Sequence, residues 1–260
     1  MARWRDLGAR PDGRHRISSD GDAVAILKIP KRPTGLTFLP NGNLVIATRD
    51  EQKLLLARGT KTSLFAELSS VAAGRVCDLT SGRDGTVYVT CFEMNVGTTG
   101  GLGSSQILAV RDDRDTEVVA TNTAYPNGLA LTAGKELLVA ETLGNRILTF
   151  AIDEYGRLGH RRTFANCEGI SPLGICVDAE GAVWVAAARQ PLFLRIRQGG
   201  DVTHRVHVPG RHGLACHIGG ADGKTLYCVT AAANETTYPN RHHPRRVETT
   251  TIDVPGQWAP

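Results

Sequence analysis

One short phrase recurs five times along this chain, and it narrows what the chain can fold into more than any other feature. "PTGLTFLPNGNLVIAT" begins at Pro33, "VCDLTSGRDGTVYVT" at Val76, "PNGLALTAGKELLVAE" at Pro126, "PLGICVDAEGAVWVA" at Pro172 and "ACHIGGADGKTLYCVT" at Ala215. Laid beside one another, the copies match at Thr34, Cys77, Asn127, Leu173 and Cys216, spaced by 43, 50, 46 and 43 residues. Self-similarity at such a period marks a repeat architecture, in which each copy is one supersecondary unit that buries its apolar face against its neighbours.

Within each copy two apolar runs flank a polar bend. "LVIAT", "TVYVT", "LLVAE", "AVWVA" and "TLYCVT" are rich in β-branched and aromatic residues, and turns such as "PNGN", "RDGT", "AEGA" and "ADGK" precede them, so each copy reads as a hairpin. Further strands follow, as in residues 145 to 165 and 192 to 208, and no stretch reads as a helix of three turns. About four strands in 40 to 50 residues is the spacing of a β-propeller blade, whereas parallel β-helices repeat at much shorter intervals. Two fragments flank the five copies: "HRISSDGDAVAILKIP" near the start and "RRVETTTIDVPGQWAP" at the end. Neither has a local partner. The expectation is therefore an all-β, six-bladed propeller formed by residues 1–260 as one domain, with a shortened first blade closed by the C-terminal strand through residues 245 to 254. Closure of that kind removes exposed sheet edges.

Composition excludes several classes of function. Thirty basic and 26 acidic residues leave a formal charge of +4, and the one basic cluster, "NRHHPRR" at residues 240 to 246, carries no interleaved stacking aromatics. It reads as a solvated loop, and no nucleic-acid partner is expected. No apolar run reaches the roughly 18 residues of a membrane helix, and "MARWRDLGARPDGRHR" holds no apolar signal core, so the expected setting is cytoplasmic with no membrane partner. Six cysteines lie mostly inside strand-like runs and are read as reduced thiols.

Residues 125 to 186, from "YPNGLALTAGKELLVAETLGNRILTF" to "PLGICVDAEGAVWVA", resemble the central blades of the senescence marker protein (regucalcin), gluconolactonase and luciferin-regenerating enzyme family. "ACHIGGADGKTLYCVTA" and "RRVETTTIDVPG" are similar to that family's last blade and final strand. The resemblance implies a six-bladed propeller in which one divalent cation polarises a lactone or ester carbonyl and a water. It also implies where the ligands would lie: a first-blade Glu before a P-x-W phrase, an Asn in x-N-G, an Asp in P-D-G and a nearby Asn in x-N-D. Here Asn127 in "PNG" matches. Leu173 in "PLG" replaces the Asp, Cys77 in "VCD" replaces the second Asn, and if "ARW" at residues 2 to 4 is the first-blade phrase, its Glu precedes the chain. Calcium and magnesium demand oxygen ligands, usually with carboxylates among them. The expectation is no cofactor, a divalent cation being the alternative.

The candidate site then comprises Thr34, Asn127, Leu173 and Cys216 for substrate binding, with Asn127, Cys77 and Arg75 for catalysis. A Cys77 thiolate would be favoured by the positive charge of Arg75 and opposed by Asp78, unless Arg75 and Asp78 form an ion pair between blades. Zinc on Cys77, Cys216 and His217 fits poorly, because His217 and Cys216 are neighbours on one strand and point to opposite faces. Glu141 and Glu93 each follow a hairpin, and structural hydrogen bonding suits them better than acid–base work. No G-x-S-x-G, H-E-x-x-H or phosphate-binding glycine loop occurs. Two functions stay open for a small-molecule partner. One is lactone or ester hydrolysis, or a related reaction on a specialised metabolite, with the usual metal site largely lost. The other is a non-hydrolytic, metal-independent role, either a condensation or rearrangement like that of strictosidine synthase or ligand binding alone.

Overall fold

The computed structural model describes residues 14–17, 23–27, 29, 32–93, 103–111, 113–233 and 245–257. Every regular element among them is a strand. The chain divides into two compact units, Met1–Asn122 and Thr123–Pro260.

The first unit begins with β1 (Arg14–Ile17) and β2 (Ala23–Leu27), which pair only with each other. Two four-stranded antiparallel meanders follow: β3 (Pro33–Phe38) to β6 (Lys61–Glu67) through β4 (Leu44–Thr48) and β5 (Lys53–Arg58), and β7 (Arg75–Ser81) to β10 (Thr116–Thr121) through β8 (Val87–Phe92) and β9 (Ser105–Val110). The apolar runs read as second strands are the most buried ones, with all of β4 and β8 removed from solvent. Val45, Ala47, Val87, Val89 and Cys91 join Leu54, Leu56, Phe65, Leu68, Leu79 and Leu108 in one apolar cluster.

The second unit holds three sheets. β11 (Pro126–Leu131), β12 (Glu136–Glu141), β13 (Arg146–Ala151) and β14 (Arg162–Asn166) form one meander. β15 (Ser171–Val177), β16 (Val183–Ala188), β17 (Leu192–Ile196) and β18 (Val202–His207) form the next. β19 (Arg211–Gly219), β20 (Thr225–Ala232) and β21 (Arg245–Thr251) complete a three-stranded sheet. Turn chemistry is as the sequence suggests. Asn41, Asp84, Asp178 and Asp222 each accept a main-chain N–H two residues on, at 2.9–3.1 Å, fixing the bends before β4, β8, β16 and β20.

The propeller class holds, but the blade count is five among the described residues, not six. The N- and C-terminal fragments do not join. β21 pairs along its whole length with β20, from Thr225 opposite Thr251 to Ala231 opposite Arg245, as the edge strand of the fifth sheet, while β1 and β2 form a sheet of their own. The chain after β21 then crosses to the preceding blade. Ile252 enters the cluster of Trp184, Phe193 and Ile218, the Ala179 N–H donates to the Pro255 carbonyl at 2.8 Å, and Gly256 bridges Asp178. Beneath that crossing lies a buried ion pair, with Arg195 Nε 2.6 Å from Asp178 Oδ2. Residues 2–4 and 240–244 lie outside the described residues, so neither the "ARW" phrase nor most of the basic cluster has a structural account.

Candidate functional site

Each blade's leading strand carries an irregularity one turn from its start. The register breaks between Pro33 and Leu36, Val76 and Leu79, Pro126 and Leu129, Pro172 and Ile175, and Gly213 and Ala215. A bulge releases its residues from the ladder and re-aims their side chains, and bulges concentrate beside functional sites. Thr34, Cys77, Asn127 and Leu173 all lie inside one. The fifth bulge holds Leu214, whereas Cys216 falls beyond it, cross-strand from Cys228. The nine residues of β19 make this leading strand longer than the others, which offsets Cys216 from the bulge.

The bulges coincide with the closest approach of neighbouring leading strands. A Cβ on Gly35 would sit 2.7 Å from Asp78 Oδ1 and 2.8 Å from its Cα, and one on Gly128 would sit 2.4 Å from the Leu173 carbonyl oxygen. Gly174 meets Ala215 in the same way at 2.6 Å, which confirms Leu214 as the equivalent of Leu173.

In the first unit this end is polar and basic. The Thr34 hydroxyl donates to the Val76 carbonyl at 3.4 Å. Burial, and secondarily Asp78, push the Cys77 thiol up to about 12, and the charge that pulls it back is that of Arg49. Arg75 lies beside a different carboxylate as well. Its Nε lies 3.7 Å from Asp50 Oδ1, and Arg32 approaches the other oxygen of the same carboxylate at 3.5 Å. Asp78 Oδ1 accepts the Leu79 N–H at 2.9 Å. Arg49 was missed by the sequence reading because an arginine in a turn has no periodic signal.

In the second unit the same end is mixed. Asn127 is half-buried beside Gly128. Leu173, at 6% exposure, is packed with Trp184, Ala186, Phe193 and Cys216. Cys216 is also buried, its Sγ 3.3 Å from the Trp184 carbonyl and 3.7 Å from Cys176 Sγ, and burial raises its thiol further. His217 is exposed, on the opposite face from Cys216. Glu141, fully buried, accepts from Arg146 Nε at 2.5 Å and from the Ala124 N–H at 2.7 Å, so it fixes the segment leading to Asn127 as a structural carboxylate. Among the described residues, no three His, Cys, Asp or Glu side chains gather as a metal-binding group, and no helix is long and apolar enough to cross a membrane.

Residues 9–232 match the family model described as SMP-30/gluconolactonase/LRE-like region. The pentonolactonase XacC of Haloferax volcanii is 24% identical over 229 residues, which are 85% of this chain and 72% of that protein. Regucalcin of Danio rerio is 39% identical, but over 80 residues, 29% of this chain and 27% of its own length. Among solved structures, a luciferin-regenerating enzyme superposes with a TM-score of 0.80 at 18% identity, covering 95% of this chain and 87% of that one. At such identity the likeness speaks for the fold.

Proposed function

Because the chain belongs to the SMP-30/gluconolactonase/LRE-like family, we propose that it hydrolyses a lactone or a related cyclic ester without the family's cation in its usual place. The observation that carries the reading is the family match along most of the chain, joined by similarity to a pentonolactonase over 85% of its length. In this reading water adds to the lactone carbonyl carbon, the ring C–O bond breaks, and the water's proton passes to the departing alkoxide, leaving a hydroxy acid. Asn127 is the residue suited to the carbonyl. Its amide can donate a hydrogen bond to the oxygen as negative charge develops there, and a preorganised donor at that point lowers the barrier. Cys77 is held as a neutral thiol at physiological pH, which argues against a nucleophilic role, since the thiolate is the reactive form.

The donor set does not fit a calcium or magnesium ion. The bulges of the first unit offer a hydroxyl and a thiol, those of the second an amide and two isobutyl groups, neither with a carboxylate, and Leu173 is buried in an apolar cluster. Hard divalent cations take six or more oxygens and favour charged ones.

The absence of a carboxylate at Leu173 also supports a second reading, a non-hydrolytic protein that binds a small molecule without a cation. One assay separates the two. The purified chain is incubated with a panel of five- and six-membered lactones, in chelator and then in calcium, and acid release is followed. Turnover that chelator leaves intact supports the proposal. Turnover that appears only with calcium overturns the metal-independent part, and no turnover of any lactone favours the binding protein.

A further inference from the structure

Three arginines converge where the first unit's leading strands begin, and main-chain bonds hold them together. The Arg49 N–H donates to the Arg32 carbonyl at 2.9 Å, and the Arg49 carbonyl accepts from the N–H of Val76, the neighbour of Arg75, at 3.4 Å. Arg49 is thus clamped by its backbone between β3 and β7, and the placement of its side chain is inherited from the sheet. Arg32 and Arg75 share one carboxylate, Asp50, at separations of 3.5 and 3.7 Å that are too long for hydrogen bonds. Asp78, the acidic neighbour of Cys77, is engaged by the Leu79 N–H, and Glu51 is the remaining carboxylate of the turn. Among the described residues, Arg49, half-buried as a residue, has no carboxylate within ion-pair distance.

An arginine drawn partly out of water favours a paired anion, and its planar fork of donors matches the two oxygens of a carboxylate or phosphate. We propose that this end of the first unit is a binding site for an oxyanion group, carboxylate or phosphate, of a small molecule, with Arg49 as its principal donor, Arg32 beside it and the Thr34 hydroxyl at its edge. The field there is already felt by the structure, since Arg49 acts on the Cys77 thiol. The proposal does not depend on lactone hydrolysis and would hold equally for a protein that only binds its ligand.

Calorimetric titration at low ionic strength tests it, with D-gluconate and inorganic phosphate as separate probes. The wild-type chain should bind at least one of them, with affinity falling as salt is added. Arg49→Gln should weaken that binding about tenfold or more, the loss expected for one charge-assisted hydrogen bond, and Arg49→Lys should retain an intermediate affinity. Lys135→Gln, which removes a charge from a turn in the other unit, should bind as wild type does. Melting curves check that each variant is folded, which is expected because the bonds clamping Arg49 are made by its backbone. Gluconate binding without phosphate binding assigns the site to carboxylates, and the reverse assigns it to phosphates. Absence of binding by either probe, or equal binding by Arg49→Gln, overturns the site whatever the lactone panel shows.

Discussion

The leading-strand ends of the two units use one backbone device for opposite chemistry. In the first unit the bulges carry Thr34 and Cys77 among Arg32, Arg49, Arg75 and Asp50. In the second they carry Asn127 next to Leu173 and Leu214, with Leu173 packed into the apolar cluster of Trp184 and Phe193. The bulge and the close-approach glycine are common to both, while the residue set in the bulge decides whether that end is basic or apolar. A propeller of this kind is a scaffold whose function is written at a few positions that the fold leaves nearly unconstrained.

The largest effects should come from attacking the shared device. Gly128→Ala would place a methyl 2.4 Å from the Leu173 carbonyl oxygen, and Gly35→Ala would place one 2.7–2.8 Å from Asp78 and Leu79. Backbone has to move in both cases, so each substitution should cost about 3 kcal/mol or more, at the upper end of overpacking. Urea denaturation measures it. A neutral Gly128→Ala beside a damaging Gly35→Ala would mean that the two ends are not built alike.

The fold was legible where its signal is local. Five copies of one phrase correspond to five blade sheets, because hairpin turns and apolar alternation are set by neighbouring residues. Closure was misread for the converse reason: "RRVETTTIDV" reads as a strand in isolation, and nothing in it says that β20, rather than β2, is its partner. The candidate site was legible only in part. Bulge positions could be aligned through the proline or valine before them, which located Thr34, Cys77, Asn127 and Leu173. The fifth copy has Gly213 at that point and was aligned two residues late, at Cys216 in place of Leu214. Arg49 acts through tertiary proximity, and no spacing rule reveals that.

Next in size is a substitution that exchanges the chemistry of the two ends. Leu173→Asp would remove a packed side chain, at about 2–5 kcal/mol, and set a carboxylate in the apolar cluster, which adds to that cost. Millimolar calcium should leave the melting temperature of the wild-type chain unchanged but recover part of the loss in the variant, since a ligand that binds only the native state stabilises it by mass action. Wild-type stabilisation by calcium, reversed by chelator, would show that a cation site exists without Leu173 being replaced.

A smaller effect should follow from the buried thiols of both units. Cys77 is pushed up to about 12, and Cys91 and Cys167 to about 11, chiefly by burial. For a pKa raised on folding, the stabilisation is complete below the unfolded thiol's value near 8.5 and is lost as pH climbs towards the folded one. Between pH 9 and 11 each such thiol should subtract at most about 1.4 kcal/mol per pH unit. Cys77→Ala should flatten the alkaline fall in stability without changing its value at pH 7 by a comparable amount. An equal alkaline slope in wild type and Cys77→Ala would mean that the thiol ionises as readily folded as unfolded, and would reopen its nucleophilic role.

The smallest change in stability, and the most informative about function, is expected from Asn127→Ala. Asn127 occupies the bulge of β11 beside Gly128, and the preceding segment is already fixed by Glu141, which accepts from the Ala124 N–H and from Arg146. Because that anchoring does not involve the Asn127 side chain, its loss should cost less than about 1 kcal/mol, the scale of one ordinary hydrogen bond. If its amide meets a substrate carbonyl, however, removing it takes away a donor that strengthens as charge develops, and losses of about a hundredfold in kcat are usual for such donors. Ala215→Gly, at the next leading strand where it meets Gly174, removes no polar group and should spare turnover. A turnover loss in Asn127→Ala with the melting temperature held to within a degree or two places the reactive carbonyl at the second unit's end. A less stable variant that turns over normally when folded makes Asn127 a turn device, and moves the search for the reacting group to the basic end of the first unit.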